Sequence, residues 1–280
     1  MRKKLYENDR FNLTGKWALI TGGAGLLGNE HAIALLEVGA NVVLWDINEP
    51  RLIQNMIMLK KNFPSNEVLI AKVDITSDKL VIKEFKKLLS KKISISILIN
   101  NAAVNPKFSS KKSVSSQRVE NLTLKDWDSH LSVGLKGAFI CSKVFGTYMA
   151  SNRKGVIINI ASDLSVISPD QRIYKNRKFL SHKQPVKPIT YSVTKFGLIG
   201  MTKYLATYWA DSGVRVNALS PGGVYENQDQ RFINKLSRLI PLGRMARANE
   251  YRSAIQFLSS DASSYMTGHN LIIDGGRSVW

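Results

Sequence analysis

The 280-residue chain predicts an α/β fold, a doubly wound parallel sheet of about seven strands with helices on both faces. Three observations carry this expectation. Short β-branched runs alternate with longer amphipathic segments from residue 17 to residue 274, the pattern of repeated βαβ units. The first run opens directly into a glycine-rich turn, TGGAGLLG at 21–28. Polar residues close the buried runs, with Asp46, Asp74, Asn100, Asn101 and Ser162 each standing where an apolar stretch stops. Crossovers between parallel strands are right-handed, which places the helices on both faces of one sheet.

The elements follow in order. WALI (17–20) is the first buried strand, and helical apolar spacing then runs through Val38. NVVLW (41–45) is the second strand, RLIQNMIMLKK (51–61) an amphipathic helix, and EVLIAKV (67–73) the third strand. DKLVIKEFKKLLSK (78–91) returns to helix and ISILI (95–99) is the fourth strand. A long helix is expected from Lys125 to Ser151, then the strand GVIINI (155–160), a helix from Ile189 to Asp211 and the strand VRVNAL (214–219). Short helices near 229–239 and 248–259 and the strand NLIID (270–274) complete the pattern. No linker or internal repeat divides the chain, so 13–280 reads as one domain behind an extension at 1–12. One stretch departs in composition. DQRIYKNRKFLSHKQPVKP (170–188) carries six basic residues against the single acid Asp170 and reads as an inserted loop.

Composition narrows the class. Hydrophobic residues make up 44% and charged residues 22%, an ordinary globular balance. No apolar run approaches the roughly 18 residues of a membrane span, and MRKKLYENDRFNL has no apolar core behind its basic start. The single cysteine, Cys141, cannot form an internal disulfide, so a cytoplasmic protein is expected. The net charge of +19 resembles a nucleic-acid footprint, yet the lysines are scattered and no zinc-finger, zipper or aromatic ribonucleoprotein motif accompanies them. A solvated basic surface is the first reading and an anionic small-molecule substrate the second; neither a nucleic-acid nor a membrane partner is expected. His31, His130, His182 and His269 show no ligand spacing, and no metal is expected.

Gly22, Gly23, Gly25 and Gly28 sit where a strand turns into a helix. Glycines there let the backbone approach a pyrophosphate placed on the positive helix N-terminus, the arrangement of a Rossmann-type dinucleotide fold. Asp46 follows Gly28 by 18 residues at the end of the second strand. An acid at that place hydrogen-bonds ribose hydroxyls and repels a 2′-phosphate. No Arg or Lys follows it, since residue 47 is Ile, which favours NAD over NADP. The competing reading is a tight turn with an acid capping the next helix.

With these features the chain resembles the short-chain dehydrogenase/reductase family over about residues 13 to 276. The resemblance rests on TGGAGLLG, Asp74, Asn100-Asn101-Ala102-Ala103, Ser162, Tyr191-Ser-Val-Thr-Lys195, Pro221-Gly222, Ile240-Pro-Leu-Gly-Arg244 and Asp274-Gly275-Gly276, in that order. The wording NNAAVNPK, ASDLSVISPDQ and DGGRSVW is similar to reductases of flagellin-modification and legionaminic-acid-type surface-sugar clusters. The resemblance implies hydride transfer between a nicotinamide and a substrate carbinol carbon, with Ser162, Tyr191 and Lys195 catalytic. It implies cofactor contacts from Gly22, Gly25, Leu26, Leu27, Asp46, Asp74, Ile75, Asn101, Ala102, Tyr191, Lys195, Pro221, Gly222 and Val224. It also implies a homo-oligomer, a tetramer or dimer built on the long helices and the last strand.

The chemistry can be stated beside the resemblance. Tyr191 and Lys195 are four apart and share a helix face. An ammonium beside a phenol favours the phenolate and lowers the tyrosine's pKa from about 10, and Ser162 can hydrogen-bond the reacting oxygen. Three departures stand out. Leu26 takes the family's middle glycine, Gly134 takes the place of its catalytic asparagine, and 29 residues separate Ser162 from Tyr191. The extra length is the basic insertion, expected to clamp an anionic substrate such as a sugar phosphate or acidic sugar through Arg172, Arg177 and Lys178. Rival readings are a 3-oxoacyl-thioester or polyol reductase and, in another class, a nucleotide-sensing protein with little turnover.

Overall fold

Seven parallel strands form one sheet in the order β3-β2-β1-β4-β5-β6-β7, in a computed structural model that describes residues 8–104, 117–177 and 179–280. The strands are β1 (Trp17–Thr21), β2 (Asn41–Asp46), β3 (Val68–Lys72), β4 (Ile95–Asn100), β5 (Gly155–Ile160), β6 (Val214–Pro221) and β7 (Asn270–Ile273). The order reverses at β1, which pairs with β2 on one side and β4 on the other. That is the switch point at which α/β sheets open a crevice beyond their strand ends.

The helices are α1 (Leu26–Glu37), α2 (Glu49–Asn62) and α3 (Asp78–Ser90), then a long α4 over 124–151, α5 (Ile189–Tyr208), α6 (Gln230–Ser237) and α7 (Arg252–Ser259). They cover both faces. On one face Leu35, Leu44, Ile99, Tyr251 and Leu258 are buried together, and on the other Leu19, Trp45, Leu98, Phe145 and Trp209. Phe145 packs edge-on to both Trp45 and Phe85 at 5.5 and 5.2 Å between ring centres. Caps set the starts: Asn48 accepts from the Arg51 amide, Ser77 from Leu80 and Thr123 from Asp126.

Three elements differ from expectation. α4 is one continuous helical segment but contains two π-turns, Ser132–Lys136 and Ser142–Gly146, which the apolar periodicity alone does not reveal. α5 stops at Tyr208 and a 3-10 turn, Ala210–Ser212, takes the chain to a left-handed Gly213. The segment near 248 begins as the 3-10 turn Ala248–Tyr251 before α7.

The inserted segment is tied down at several points. It holds the 3-10 turns Gln171–Tyr174 and Ser181–Lys183. Ile173 is buried with Leu236, Ile240 and Met245, and Tyr174 lies against Phe232 of α6. The Lys235 ammonium of α6 donates to the Lys175 carbonyl at 2.7 Å. Gln171 and Lys187 close the segment's neck, the Gln171 side chain donating to the Lys187 carbonyl (3.1 Å) and accepting from its amide (2.9 Å).

Candidate active site

The expected cofactor residues gather at the C-terminal edge of the sheet. The Thr21 hydroxyl, at the end of β1, accepts from the amides of Asn101 and Ala102, each at 3.1 Å. The Asn101 side chain donates back to the carbonyls of Thr21 and Gly22 at 3.0 and 3.1 Å. Gly22 has φ +67°, and a Cβ there would stand 2.8 Å from Ala102 Cα, so only glycine allows the loop to lie this close to β4. Leu26 is the first residue of α1. Helical backbone there admits leucine as well as glycine. Gly25 caps α1 with no side chain, leaving the helix's first amides as the anion-facing group. A bare helix N-terminus, a left-handed glycine and an adjacent acid fit the diphosphate and ribose of a dinucleotide.

Asp46 binds locally, accepting from the Ala24 amide at 3.1 Å and the Asn48 amide at 3.0 Å. It is not the cap of α2; Asn48 is, so that competing reading loses its support. Asp74 is exposed and accepts from the amide and hydroxyl of Thr76, while Ser77 caps α3. The side chains of Leu27 and Ile75 pack into the two cores, leaving their backbones for any cofactor contact. Pro221 ends β6, the Gly222 amide donates to Ile273, and Val224 bridges to Ala246.

Ser162, Tyr191 and Lys195 come together beyond β5. Ser162 is buried, donates to Asp163 Oδ1 at 2.7 Å and accepts from the Leu164 amide at 3.2 Å. Lys195 is 4% exposed and donates to the Ile160 carbonyl at 2.7 Å, with its ammonium 5.7 Å from the Tyr191 ring centre. The expected depression of the tyrosine by Lys195 is not what this geometry produces. Burial pushes the Tyr191 phenol above its ordinary range, a hydrogen bond with Ser162 pulls it back, and the Asp163 charge adds to the rise. Burial pushes the Lys195 ammonium down to about 7, helped by the charge of Lys187.

Gly134 lies in the first π-turn of α4, facing α5. A Cβ there would stand 2.4 Å from Thr194 Cγ2, so the absence of a side chain admits the neighbour of Lys195. A cavity of about 10 Å³ remains between Gly134, His130, Thr190, Tyr191 and Lys195, about the space of one water. Gly134→Ala should therefore cost about 1–3 kcal/mol in chemical denaturation despite alanine's better helix propensity. Thr194→Ser removes the clashing methyl and should abolish most of that cost; an equal cost in both backgrounds refutes the account.

Three groups at this site escaped the sequence reading. Asp163 receives the Ser162 hydroxyl and also a 2.5 Å bond from the Arg277 guanidinium, both partners buried. Lys187 places its ammonium 3.5 Å from the Tyr191 ring centre, and burial lowers it to about 8. The adjacency of Asp163 to Ser162 and the lysine four residues before Tyr191 were the available signals. Arg172 is 82% exposed and folded onto Asp170, Arg177 is exposed, and Lys178 lies outside the described residues. The insertion also brings Lys187 to the site.

A switch-point crevice with a glycine turn, and a serine, tyrosine and lysine at its mouth, define the class of a dinucleotide-dependent oxidoreductase. The chain belongs to the short-chain dehydrogenase/reductase family, whose members are NAD(P)-dependent oxidoreductases: the family model described as "Enoyl-(Acyl carrier protein) reductase" matches residues 23–278. It is 32% identical to an NAD-dependent glycerol dehydrogenase of Listeria innocua over the whole of both chains. Among solved structures it is similar to a short chain dehydrogenase of Leptospira borgpetersenii with bound NAD+ (TM-score 0.82, 32% identity, 99% and 98% of the two chains). It is also similar to a gluconate 5-dehydrogenase of Burkholderia cenocepacia in complex with NADP and tartrate (TM-score 0.83, 26% identity, 97% and 98%). No helix among the described residues is long and apolar enough to cross a membrane.

Proposed function

We propose that the protein transfers a hydride between NAD(H) and a hydroxyl or ketone of a polar, anionic carbohydrate, in the making of surface-glycan sugars. The observation that carries the anionic substrate is the charge at the site. Among the described residues, Lys187, Lys195 and Arg277 surround Tyr191 and Ser162 against the acid Asp163. A buried excess of cations favours a substrate that brings a carboxylate or phosphate.

When bound, the nicotinamide supplies the hydride acceptor or donor. Tyr191 takes the proton of the substrate hydroxyl as the carbonyl forms, or returns it in reduction. Ser162 donates a hydrogen bond to the same oxygen. Lys195 holds the cofactor ribose. Asp46, with Ala24 fixed on its carboxylate, receives the adenosine ribose hydroxyls and disfavours a 2′-phosphate. Asp74, Asn101, Ala102, Gly222 and Val224 complete the cofactor groove. Exposed Phe139, Phe196, Tyr204 and Tyr208 on α4 and α5 are consistent with assembly into a homo-oligomer through those helices.

The test is turnover with NAD+ of matched acid and neutral substrates, such as gluconate against sorbitol and a sugar phosphate against its free sugar. The acid should win by about tenfold or more in kcat/KM, and NADH should bind at least tenfold tighter than NADPH, each a difference of about 1.4 kcal/mol. Equal turnover of acid and polyol would sink the anionic substrate and leave a polyol dehydrogenase. If neither nucleotide bound, the oxidoreductase reading itself would fail.

A further inference from the structure

We propose that Lys187 is a positioning residue for Tyr191: a second cation, delivered over the ring face by the basic insertion, that holds the phenolate during proton transfer. This rests on the reading of Tyr191 as the proton-transfer group. In KPITYSVTK a lysine stands four residues before the tyrosine and another four after, but only Lys195 reaches it by helix geometry. Lys187 lies outside α5, which starts at Ile189 with Pro188 as its cap, and a residue before proline is held extended. The insertion does the placing. Its neck, the Gln171–Lys187 pair, grips both backbone groups of Lys187, and Ile173 and Tyr174 anchor the segment on α6 and its neighbours.

Of the two lysines, Lys187 is the nearer to the ring. The Lys187 ammonium lies 3.5 Å from the ring centre, whereas Lys195 lies 5.7 Å away and gives its ammonium to the Ile160 carbonyl. A cation over an aromatic face is attracted by its π-electrons. The attraction grows when the ring becomes a phenolate, so the contact favours ionisation rather than both forms equally. The other charged and titratable groups around Tyr191 have assignable effects. Asp163, from the turn after β5, opposes ionisation, and Arg277 from the C-terminal segment offsets Asp163. Tyr174 of the insertion adds a buried neutral phenol. On the α4 side His130 is engaged with the Thr190 hydroxyl at 2.8 Å, and Ser162 hydrogen-bonds the phenol. Without the second cation, burial would leave the phenol a poor base near neutral pH.

The test needs no substrate. Carbon-13-labelled tyrosine in the full-length protein gives an NMR titration of Tyr191, assigned by its loss in Tyr191→Phe. Lys187 loses its proton near pH 8, below the range in which the buried phenol titrates, so Lys187→Gln should leave the Tyr191 midpoint within a few tenths, whereas Lys187→Arg, charged throughout, should lower it by about one pH unit. At pH 7, where Lys187 keeps its proton, kcat/KM with NAD+ and a turned-over substrate should fall about tenfold in the glutamine variant and stay near wild type in the arginine variant. Gln171 holds Lys187 by its backbone, so both variants should keep the wild-type thermal midpoint. An unmoved phenol midpoint in Lys187→Arg overturns the proposal. So does a rise in KM for anionic substrates with an unchanged pH profile, since Lys187 would then be a substrate contact. A shifted midpoint in a protein that turns over no carbohydrate supports the role of Lys187 while refuting the substrate reading.

Discussion

Tyr191→Phe should lower turnover by about a thousandfold, within the range that a positioned general acid–base group supplies, while NADH affinity changes by less than about twofold. The substitution removes only the hydroxyl. The ring still fills its place beneath the Lys187 ammonium, and Ser162 keeps its bond to Asp163, so folding is undisturbed. The fall should lie in kcat rather than in KM, because the proton moves only in the transition state. Steady-state kinetics with NADH fluorescence titration separates the two quantities. A nucleotide-sensing protein would give the same binding with and without the hydroxyl and no turnover to lose. Retention of more than a tenth of the activity would require another proton carrier, and His130, which lines the cavity beside Tyr191, would be the first group to examine.

The parts of the molecule that could be read from the sequence are those encoded locally. Each strand of a parallel sheet is buried on both faces, so it reads as a short β-branched run. The residue that leaves the sheet must satisfy its backbone or face the crevice, which made Asp46, Asp74, Asn101 and Ser162 visible as polar stops. The helix pair of Tyr191 and Lys195 is likewise local. What stayed hidden is long-range. Thr21 gathers the amides of Asn101 and Ala102 from 80 residues away, a role its position in TGGAGLLG does not announce. Gly134 read as a loss of the family's asparagine, yet Thr194 occupies the space its side chain would need. The insertion's charge was legible and its geometry was not. Composition drew attention to Arg172 and Arg177, whereas the fold turns Arg172 onto Asp170 and presents Lys187.

Arg277→Met should destabilise the protein by about 3–5 kcal/mol, the cost of leaving one member of a buried ion pair without its partner. Arg277 and Asp163 are 114 residues apart and both are buried. The pair fastens the segment after β7 to the turn that carries Ser162. Asp163 also holds the Ser162 hydroxyl and the Leu164 amide, so its remaining bonds do not neutralise its charge. At roughly 2–4 °C per kcal/mol for a protein of this size, the thermal midpoint should fall by about 10 °C. Asp163→Asn alone should also cost several kcal/mol by stranding the guanidinium. The Asp163→Asn, Arg277→Met double variant should lose clearly less than the sum of the two, since neither charge is then left alone. Additive losses in denaturant titrations would mean that the two side chains stabilise the fold independently. The double variant should still be catalytically impaired, because a neutral amide at position 163 no longer orients the serine hydroxyl as the carboxylate does. Recovered stability without recovered kcat would assign the pair its second role, fixing Ser162 for the reacting oxygen.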